Sequence, residues 1–225
     1  MKLRQRLRRI GSGAWSTWPA EAYQQPRYQQ RLLAVQDHLF HCLDVAPRGP
    51  LCVTSICAGD GRDVIGVLRS HERGNDVTAW LVELDRESVA AGIRATTTAG
   101  LHDSVNFLNT DATDYATYAG FAPADIVLAC GVWGHVPADQ RASLVNGLAA
   151  LCNPGGASIW TRGVADGRNR LHEIESLFAR PLWECIRTTA TGDKQWAVST
   201  HRYCGPRVEL PQAGRIFNFQ RRAGR

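Results

Sequence analysis

From residue 51 onward, apolar segments of strand length alternate with segments whose apolar residues recur at helical spacing. The first two strands are predicted at 51–56 and 77–83, and each is followed by a predicted helix. Repeated strand–helix units predict a parallel sheet with helices on both faces. Such a sheet binds ligands at the carboxyl ends of its strands, near the point where the strand order reverses. The pattern therefore predicts an α/β fold and the edge of the sheet on which a ligand site should lie.

The later elements continue this alternation. The predictions are strands at 105–109, 126–130, 157–161 and 183–189, an extended segment at 196–202, a last strand at Ile216 to Phe219, and helices at 62–71, 86–99, 138–151 and 169–178. We expect a single Rossmann-like, doubly wound sheet, mostly parallel with an antiparallel last strand. The length of 225 residues suits one such domain with a sizeable core.

The segment before the sheet has a different character. Residues 1–10 combine arginines with apolar residues on one helical face, and Tyr28, Leu32, Val35 and Leu39 recur at helical spacing after Pro26. A Pro- and Gly-containing linker at 46–50 ends this helix. We therefore predict a basic segment with a helical lid at 1–50 and a Rossmann-like domain at 51–225.

The first predicted strand runs into a glycine-containing turn, Cys57-Ala-Gly-Asp-Gly61, and the second ends on an acid, Glu83. Glycines let the backbone approach a ligand closely. A carboxylate at a strand end can accept both hydrogen bonds of a ribose diol. The pair predicts half of a nucleoside-binding site. Asp63, just beyond the turn, is interpreted as a cap of the following helix or a partner of Arg62.

The charge is unevenly distributed. Residues 1–9 hold five basic side chains and residues 215–225 hold four, whereas neither segment contains an acid. Since the chain has 26 basic and 21 acidic residues in all, the body between these ends is mildly acidic. A nucleic-acid groove should carry a basic face, so a nucleic-acid partner is not expected on the core.

Seven cysteines occur without a CxxC pair, and the histidines are scattered without metal-ligand spacing. We interpret the cysteines as buried thiols in a reducing compartment and expect no bound metal. No apolar run approaches the ~20 residues needed to span a bilayer, and no apolar segment follows the basic start as in a secretory signal. These features favour a cytoplasmic protein. The oligomeric state is left open.

Five landmarks in order resemble the class I S-adenosylmethionine-dependent methyltransferases. They are the glycine turn, Glu83, the Asn109-Thr-Asp111-Ala112 segment after the third strand, the fourth strand at Ala124 to Cys130, and the Leu151-Cys-Asn-Pro-Gly-Gly156 turn before the fifth. In the first motif Ser55 stands where the family has an acid, and Cys57 stands where it has the first glycine. The Cys-Ala-Gly-Asp-Gly-Arg-Asp variant is similar to a bacterial branch of the family.

The resemblance implies S-adenosylmethionine as cofactor. It places Glu83 at the ribose hydroxyls and Asp111 near the adenine amino group. Arg31, on the lid, is a candidate partner of the methionyl carboxylate. The full set of expected cofactor-binding residues is Cys57, Ala58, Gly59, Gly61, Glu83, Leu84, Asp111, Ala112, Cys130 and Arg31.

The resemblance also places the acceptor beside the loop after the fourth strand. His135, in that loop, is the candidate general base. The candidate substrate-binding residues are Tyr23, Tyr28, Trp133, Arg162, His201 and Tyr203. Methyl transfer from a sulfonium is a direct displacement, so positioning can contribute much of the rate enhancement and a base is optional.

The sequence leaves three functions open. Methyl transfer to O, N or C of a small molecule agrees with the acidic body, whereas RNA or protein methylation could use the basic ends for phosphate contacts. The departures at Ser55 and Cys57 keep open a catalytically silent nucleotide-binding module. A nicotinamide-dependent reductase is disfavoured because no Tyr-x-x-x-Lys motif occurs and Cys57 occupies a fingerprint glycine position.

Overall fold

The structure is a computed structural model that describes residues 25–163, 170–178, 181–191 and 195–220. The described strands form one seven-stranded sheet. They are β1 (Leu51–Ile56), β2 (Val77–Glu83), β3 (Val105–Asn109), β4 (Ala124–Ala129), β5 (Cys152–Gly163), β6 (Trp183–Ala190) and β7 (Trp196–Tyr203). The helices are α1 (Pro26–Val45), α2 (Arg62–Leu68), α3 (Arg86–Thr98), α4 (Arg141–Leu151) and α5 (Arg170–Glu175). No helix of the described segments is long and apolar enough to cross a membrane.

The strand order is β3-β2-β1-β4-β5-β7-β6. Strands β1 to β5 pair in parallel, and β7 is antiparallel to both β5 and β6. The chain moves outward from β1 to β3 and then crosses back to β4, so the order reverses between β1 and β4. The doubly wound, mostly parallel sheet predicted from the sequence is confirmed.

Apolar side chains cover both faces of the sheet, as expected for parallel strands. One core joins α1 and α2 to the sheet through residues such as Leu39, Val64 and Leu128. The other joins α4 to the opposite face and contains Trp133, Trp160 and Phe178 among its aromatic residues. Because β1, β4 and most of β2 are buried between these cores, their positions could be predicted from apolar runs alone.

The prediction of a last strand at Ile216 to Phe219 is wrong. Ile216 and Phe217 are buried, but the segment is irregular, and the antiparallel last strand of the sheet is β7. The backbone N–H of Ile216 donates to the carbonyl of Thr113, and the side chain of Ile216 packs against Gly147 of α4. The segment is apolar because it covers a helix, not because it extends the sheet.

Helix α1 is anchored to the sheet by a buried histidine. The ring nitrogens of His38 lie 2.7 Å from Oγ1 of Thr200 in β7 and 2.9 Å from Oγ1 of Thr189 in β6. The C-terminal end of α1 is bound by the guanidinium of Arg73, which donates hydrogen bonds to the carbonyls of Leu43 and Ala46. It also donates to the carbonyls of Pro47 and Gly49 in the linker. These bonds satisfy carbonyls that a helix end leaves without partners. They fix α1 so that its first turns lie beside the carboxyl ends of the strands.

Candidate cofactor site

The turn after β1 holds the backbone in an uncommon conformation. Cys57, Gly59 and Gly61 all have positive φ values, of 53°, 60° and 69°. Among the described residues, Cys57 is the only one other than glycine with a positive φ. This conformation costs an L-residue about 1–2 kcal/mol. The geometry of a glycine turn is therefore retained even though its first position carries a side chain.

Close packing explains why the turn ends on glycine. A Cβ atom at Gly61 would lie 2.3 Å from Cδ2 of Leu81 and 2.9 Å from Cζ of Phe107. The backbone therefore rests directly on side chains of β2 and β3, and α2 begins at the next residue, Arg62. Gly61 therefore has a packing role and does not line the cavity, and its contact with a cofactor stays a prediction.

Glu83 is held rigidly at the end of β2. Its Oε2 accepts a hydrogen bond from the N–H of Gly59 in the turn, and its Oε1 accepts one from the N–H of Asp85, both at 2.8 Å. Burial raises the pKa of this carboxyl, and the hydrogen bonds from backbone N–H groups oppose that rise. A carboxylate with both oxygens fixed in this way presents its remaining lone pairs in a set direction.

A cavity of about 300 Å³ lies against the turn and Glu83. Its wall includes residues at or just beyond the carboxyl ends of β1, β2 and β4, so it occupies the point where the strand order reverses. The predicted site residues that the structure brings together on this wall are Tyr28, Arg31, Cys57, Ala58, Gly59, Glu83, Cys130 and His135. They come from α1, the glycine turn, β2 and the loop after β4.

The thiols on the cavity wall are weak acids. Burial raises the pKa of Cys57 well above its ordinary value, and the carboxylates of Glu83 and Asp111 raise it further. Burial likewise raises the pKa of Cys130, with the carboxylate of Asp63 adding to the effect. Both side chains therefore remain protonated near neutral pH, where they contribute shape and not nucleophilic chemistry.

Four predicted cofactor-binding residues lie off the wall formed by the described residues. They are Gly61, Leu84, Asp111 and Ala112. Oδ1 of Asp111 accepts hydrogen bonds from the N–H and hydroxyl of Thr113, and its Oδ2 lies 3.3 Å from Nη2 of Arg215. This carboxylate therefore already has partners that stabilise the turn after β3. Its contact with a bound nucleoside stays a prediction.

The predicted acceptor-side residues are mostly buried away from the cavity. Trp133 and Tyr203 are fully buried, and Trp133 packs on Trp160 and Phe178. The hydroxyl of Tyr203 donates to the carbonyl of Pro206 at 2.7 Å. These two aromatic residues fill the core between the sheet and its helices and do not line the cavity, so their role at the acceptor stays a prediction.

His201 and Arg162 are also buried. Nδ1 of His201 accepts a hydrogen bond from Nε1 of Trp160 at 3.1 Å, and burial lowers the pKa of His201 to about 4. This histidine is therefore neutral at pH 7 and serves the core. Arg162 lies near the end of β5, where its Nη1 would be 3.1 Å from a Cβ atom on Gly134. Tyr23 lies outside the described residues.

Several residues of the wall are not among the predicted site residues, and two of them, Trp196 and Asp63, bear on the binding of charged groups. Trp196 starts β7, and its ring lies 4.8 Å from the guanidinium carbon of Arg31 and 6.0 Å from the ring of Tyr28, measured to ring centroids. Because β7 is antiparallel, its first residue lies at the same edge as the carboxyl ends of β1 to β5. The sequence signal for Trp196 is the extended segment predicted at 196–202, and pairing that segment antiparallel to β5 would have placed Trp196 at this edge.

Asp63 is the second of these two residues. Its Oδ1 accepts a hydrogen bond from the N–H of Val64, and the side chain lines the cavity. Asp60, not Asp63, is the partner of Arg62, whose Nε lies 2.8 Å from Oδ1 of Asp60. Burial raises the pKa of Asp63, a rise that Asp60 reinforces and that Arg31 and the bond from Val64 oppose.

The described residues contain no group of three or more His, Cys, Asp or Glu side chains that could hold a metal ion. The cavity wall instead offers the fixed carboxylate of Glu83, the backbone of the turn, a guanidinium stacked on aromatic rings and further carboxylates, among them that of Asp63. These groups can recognise a small molecule that carries hydroxyls and charged groups of both signs.

Solved methyltransferases share the fold at low sequence identity. Magnesium protoporphyrin IX methyltransferase from Synechocystis, a structure with bound SAM, matches with a TM-score of 0.62 at 15% identity, over 88% of this chain and 90% of that one. A SAM-dependent methyltransferase from Thiobacillus denitrificans, in complex with S-adenosyl-L-homocysteine, matches with a TM-score of 0.57 at 13% identity, over 76% and 91%.

An O-methyltransferase family protein from Burkholderia thailandensis matches with a TM-score of 0.61 at 18% identity, over 78% of this chain and 55% of that one. No curated protein sequence matches the chain significantly. One family model matches residues 30–165, which is more than half of the chain and includes most of α1, the glycine turn, Glu83 and β5. The chain belongs to the methyltransferase family that this model describes as "Putative methyltransferase".

Proposed function

We propose that the protein transfers a methyl group from S-adenosylmethionine to a small-molecule acceptor. The observation that carries the proposal is the fixed Glu83 carboxylate, which receives the N–H of Gly59 from the turn and faces the cavity beside it. A carboxylate fixed at this strand end suits the two hydroxyls of a ribose. The backbone of the turn, at Cys57, Ala58 and Gly59, lies where the rest of the nucleoside would pass.

The residues present fit this cofactor. The cavity volume of about 300 Å³ is in the range of small-molecule sites. Among the described residues, no hydrogen-bond acceptor contacts the guanidinium of Arg31, which is therefore free to pair with the methionyl carboxylate. In the proposal Asp111, with Leu84 and Ala112, binds the adenine end of the cofactor. The Asp111 carboxylate would accept this hydrogen bond in addition to those from Thr113 and its ion pair with Arg215.

When bound, the cofactor supplies an electrophilic methyl group on a sulfonium. The chain's own residues hold the ribose through Glu83, orient the charged end through Arg31 and exclude water through Tyr28 and Trp196. Positioning of this kind contributes up to roughly 7–11 kcal/mol to the lowering of a barrier. His135 lines the same cavity and is the proposed general base for an acceptor that arrives protonated.

The charge of the cavity favours a small molecule over RNA as the acceptor. Five carboxylate side chains line it, at Asp60, Asp63, Glu83, Asp85 and Glu87. The guanidinium groups on the wall are those of Arg31 and Arg62, and Arg62 is paired with Asp60. A site for a phosphate backbone should show the opposite balance.

The setting of the reaction is part of the proposal. All seven cysteines are free thiols, which agrees with a reducing compartment such as the cytoplasm. The 24 arginines against 2 lysines agree with a GC-rich bacterial source. Residues 1–50 contribute α1, whose first turns line the cavity, and a lid function for this segment remains a proposal.

The test is a methyl-transfer assay with S-adenosylmethionine labelled in its methyl group. The full chain is incubated separately with small-molecule, RNA and protein fractions of a bacterial extract, and label transfer is compared with that of Glu83→Ala. We expect label in the small-molecule fraction that depends on Glu83. Transfer into RNA or protein instead would contradict the proposed acceptor class.

A second candidate, a catalytically silent cofactor-binding module, rests on the departures at Ser55 and Cys57. The left-handed backbone at Cys57 keeps the turn in its binding geometry, so binding is expected in either case. Tight cofactor binding without transfer to any fraction would favour the silent module.

A further inference from the structure

Two charged side chains face the cavity without using their full hydrogen-bonding capacity. They are the guanidinium of Arg31, on α1, and the carboxylate of Asp63, at the start of α2. Their opposite charges interact, but the nitrogen atoms of Arg31 and the carboxylate oxygens of Asp63 are more than 4.0 Å apart, so the two groups form no ion pair. A gap between two such groups is suited to a ligand that carries both charges.

Arg31 is held in place by its flat face. Its guanidinium carbon lies 4.8 Å from the ring centroid of Trp196 and 5.7 Å from that of Tyr28. Its Nη1 would be 3.5 Å from a Cβ atom on Gly131, so the group reaches across to the end of β4. Stacking fixes the plane of the group and leaves its N–H edge available for a carboxylate.

Asp63 is held by backbone N–H groups of its own turn and by no side-chain donor of the described residues. Oδ1 accepts the N–H of Val64 at 2.9 Å, and the N–H of Asp63 itself also favours the charged carboxylate. The nearby Arg62 pairs with Asp60, so the cation that acts on Asp63 is Arg31, across the cavity. A buried carboxylate with so few donors is stabilised further by a ligand that supplies one.

We infer that Asp63 and Arg31 together hold an α-amino-acid group, with Asp63 receiving the ammonium and Arg31 the carboxylate. The inference rests on the proposed function, because S-adenosylmethionine ends in such a group, and it adds Asp63 as a residue that sets specificity at that end. Glu83 then selects the nucleoside and the Asp63–Arg31 pair selects the amino acid. Separate charged side chains on one cavity wall thus bind the two ends of the same ligand.

Isothermal titration of the full chain with three ligands separates these contributions. S-adenosylmethionine carries the ammonium and the carboxylate, decarboxylated S-adenosylmethionine keeps only the ammonium, and 5′-methylthioadenosine has neither. Asp63→Asn is nearly isosteric and keeps an acceptor for the N–H of Val64. Arg31→Gln removes the cation and keeps a polar side chain.

We expect Asp63→Asn to weaken binding of the first two ligands by about 10- to 100-fold and to change 5′-methylthioadenosine binding less than about 2-fold. Arg31→Gln should weaken S-adenosylmethionine binding by a similar factor and leave its decarboxylated form within about 2-fold. Glu87→Gln removes a negative charge from the same wall. This control should have a much smaller effect, because the inference requires a specific contact and not a general field.

Equal weakening of all three ligands by Asp63→Asn would overturn the inference, since it would assign Asp63 to the shape of the turn. Unchanged binding of S-adenosylmethionine by that variant, or an effect matched by Glu87→Gln, would overturn it as well. Failure of the proposed function gives a different result, in which the unmodified chain binds none of the three ligands. Near-UV circular dichroism of each variant confirms that the fold is retained.

Discussion

The buried histidine that anchors α1 predicts a specific loss of stability in acid. Both ring nitrogens of His38 are bonded to threonine hydroxyls, at Thr200 and Thr189. The pKa of His38 is lowered to about 4, mainly by burial. The positive charge of Arg187 also lowers it, and this effect exceeds the opposing effect of the Asp37 carboxylate. The folded state therefore holds this side chain neutral at every pH above about 4.

The magnitude follows from the difference in proton binding between the two states. The pKa of histidine in the unfolded chain is about 6.5. Above that pH neither state binds the proton, and the stabilisation is complete. As the pH falls from 6.5 towards 4, the unfolded state takes up the proton and the folded state does not. Because of His38, the free energy of unfolding of the protein then falls by about 1.4 kcal/mol per pH unit, or by about 3 kcal/mol in all.

The assay is urea unfolding of the full chain and of His38→Gln between pH 8 and pH 4.5. At pH 8 we expect the variant to be less stable by about 1–3 kcal/mol, because the two threonines lose their partner. The difference should shrink by about 2–3 kcal/mol at pH 4.5, since only the original chain has a histidine at position 38. The raised pKa values of Asp63 and Glu83 make the folded state more stable as the pH falls. This effect is the same in both proteins, so it cancels in the difference between their free energies of unfolding.

A stability difference that is independent of pH would refute the reasoning, because it would mean that His38 titrates alike in both states. His201 offers a second measurement in the same window. Its pKa is also lowered to about 4 by burial, and it has a different partner, Trp160.

Three other substitutions test the site and its support. Glu83→Ala should weaken S-adenosylmethionine binding by about 1–3 kcal/mol in a calorimetric titration, and an unchanged dissociation constant would place the ribose elsewhere. Cys57→Gly should be more stable than Cys57→Ala by about 1 kcal/mol in urea unfolding, since only alanine resists the left-handed backbone; equal stabilities would argue against that strain. Arg73→Ala should lower stability by about 1–3 kcal/mol by removing donors from four carbonyls, with Arg73→Lys restoring part of it, and a neutral result would show that water replaces those bonds.

The interior of the fold could be predicted because its signals are local. The strands at 51–56, 77–83 and 105–109 have the bounds expected from the sequence, since each is a short apolar run between turn residues. The segment 216–219 carries the same signal and is not a strand. Burial makes a segment apolar whether it pairs with a strand or covers a helix, so composition alone does not distinguish the two.

The position of the candidate site could be predicted where the backbone determines it, but not where the fold brings distant residues together. Glu83 and the glycine turn lie at strand ends that the sequence already indicated. Trp133 and Tyr203 look like pocket residues because aromatic side chains suit pockets and cores equally. Asp63 looked like a helix cap, and only its position on the cavity wall distinguishes it from one.

The central claim is that this cavity binds S-adenosylmethionine, and equilibrium titration of the full chain with that cofactor tests it most directly. The account predicts saturable binding of one cofactor per chain with a Kd well below ~1 mM, within the range in which enzymes commonly hold their substrates. It also predicts that Glu83→Ala weakens this binding while the chain remains folded. Absence of binding at ~1 mM cofactor, by a chain shown to be folded, would contradict the account.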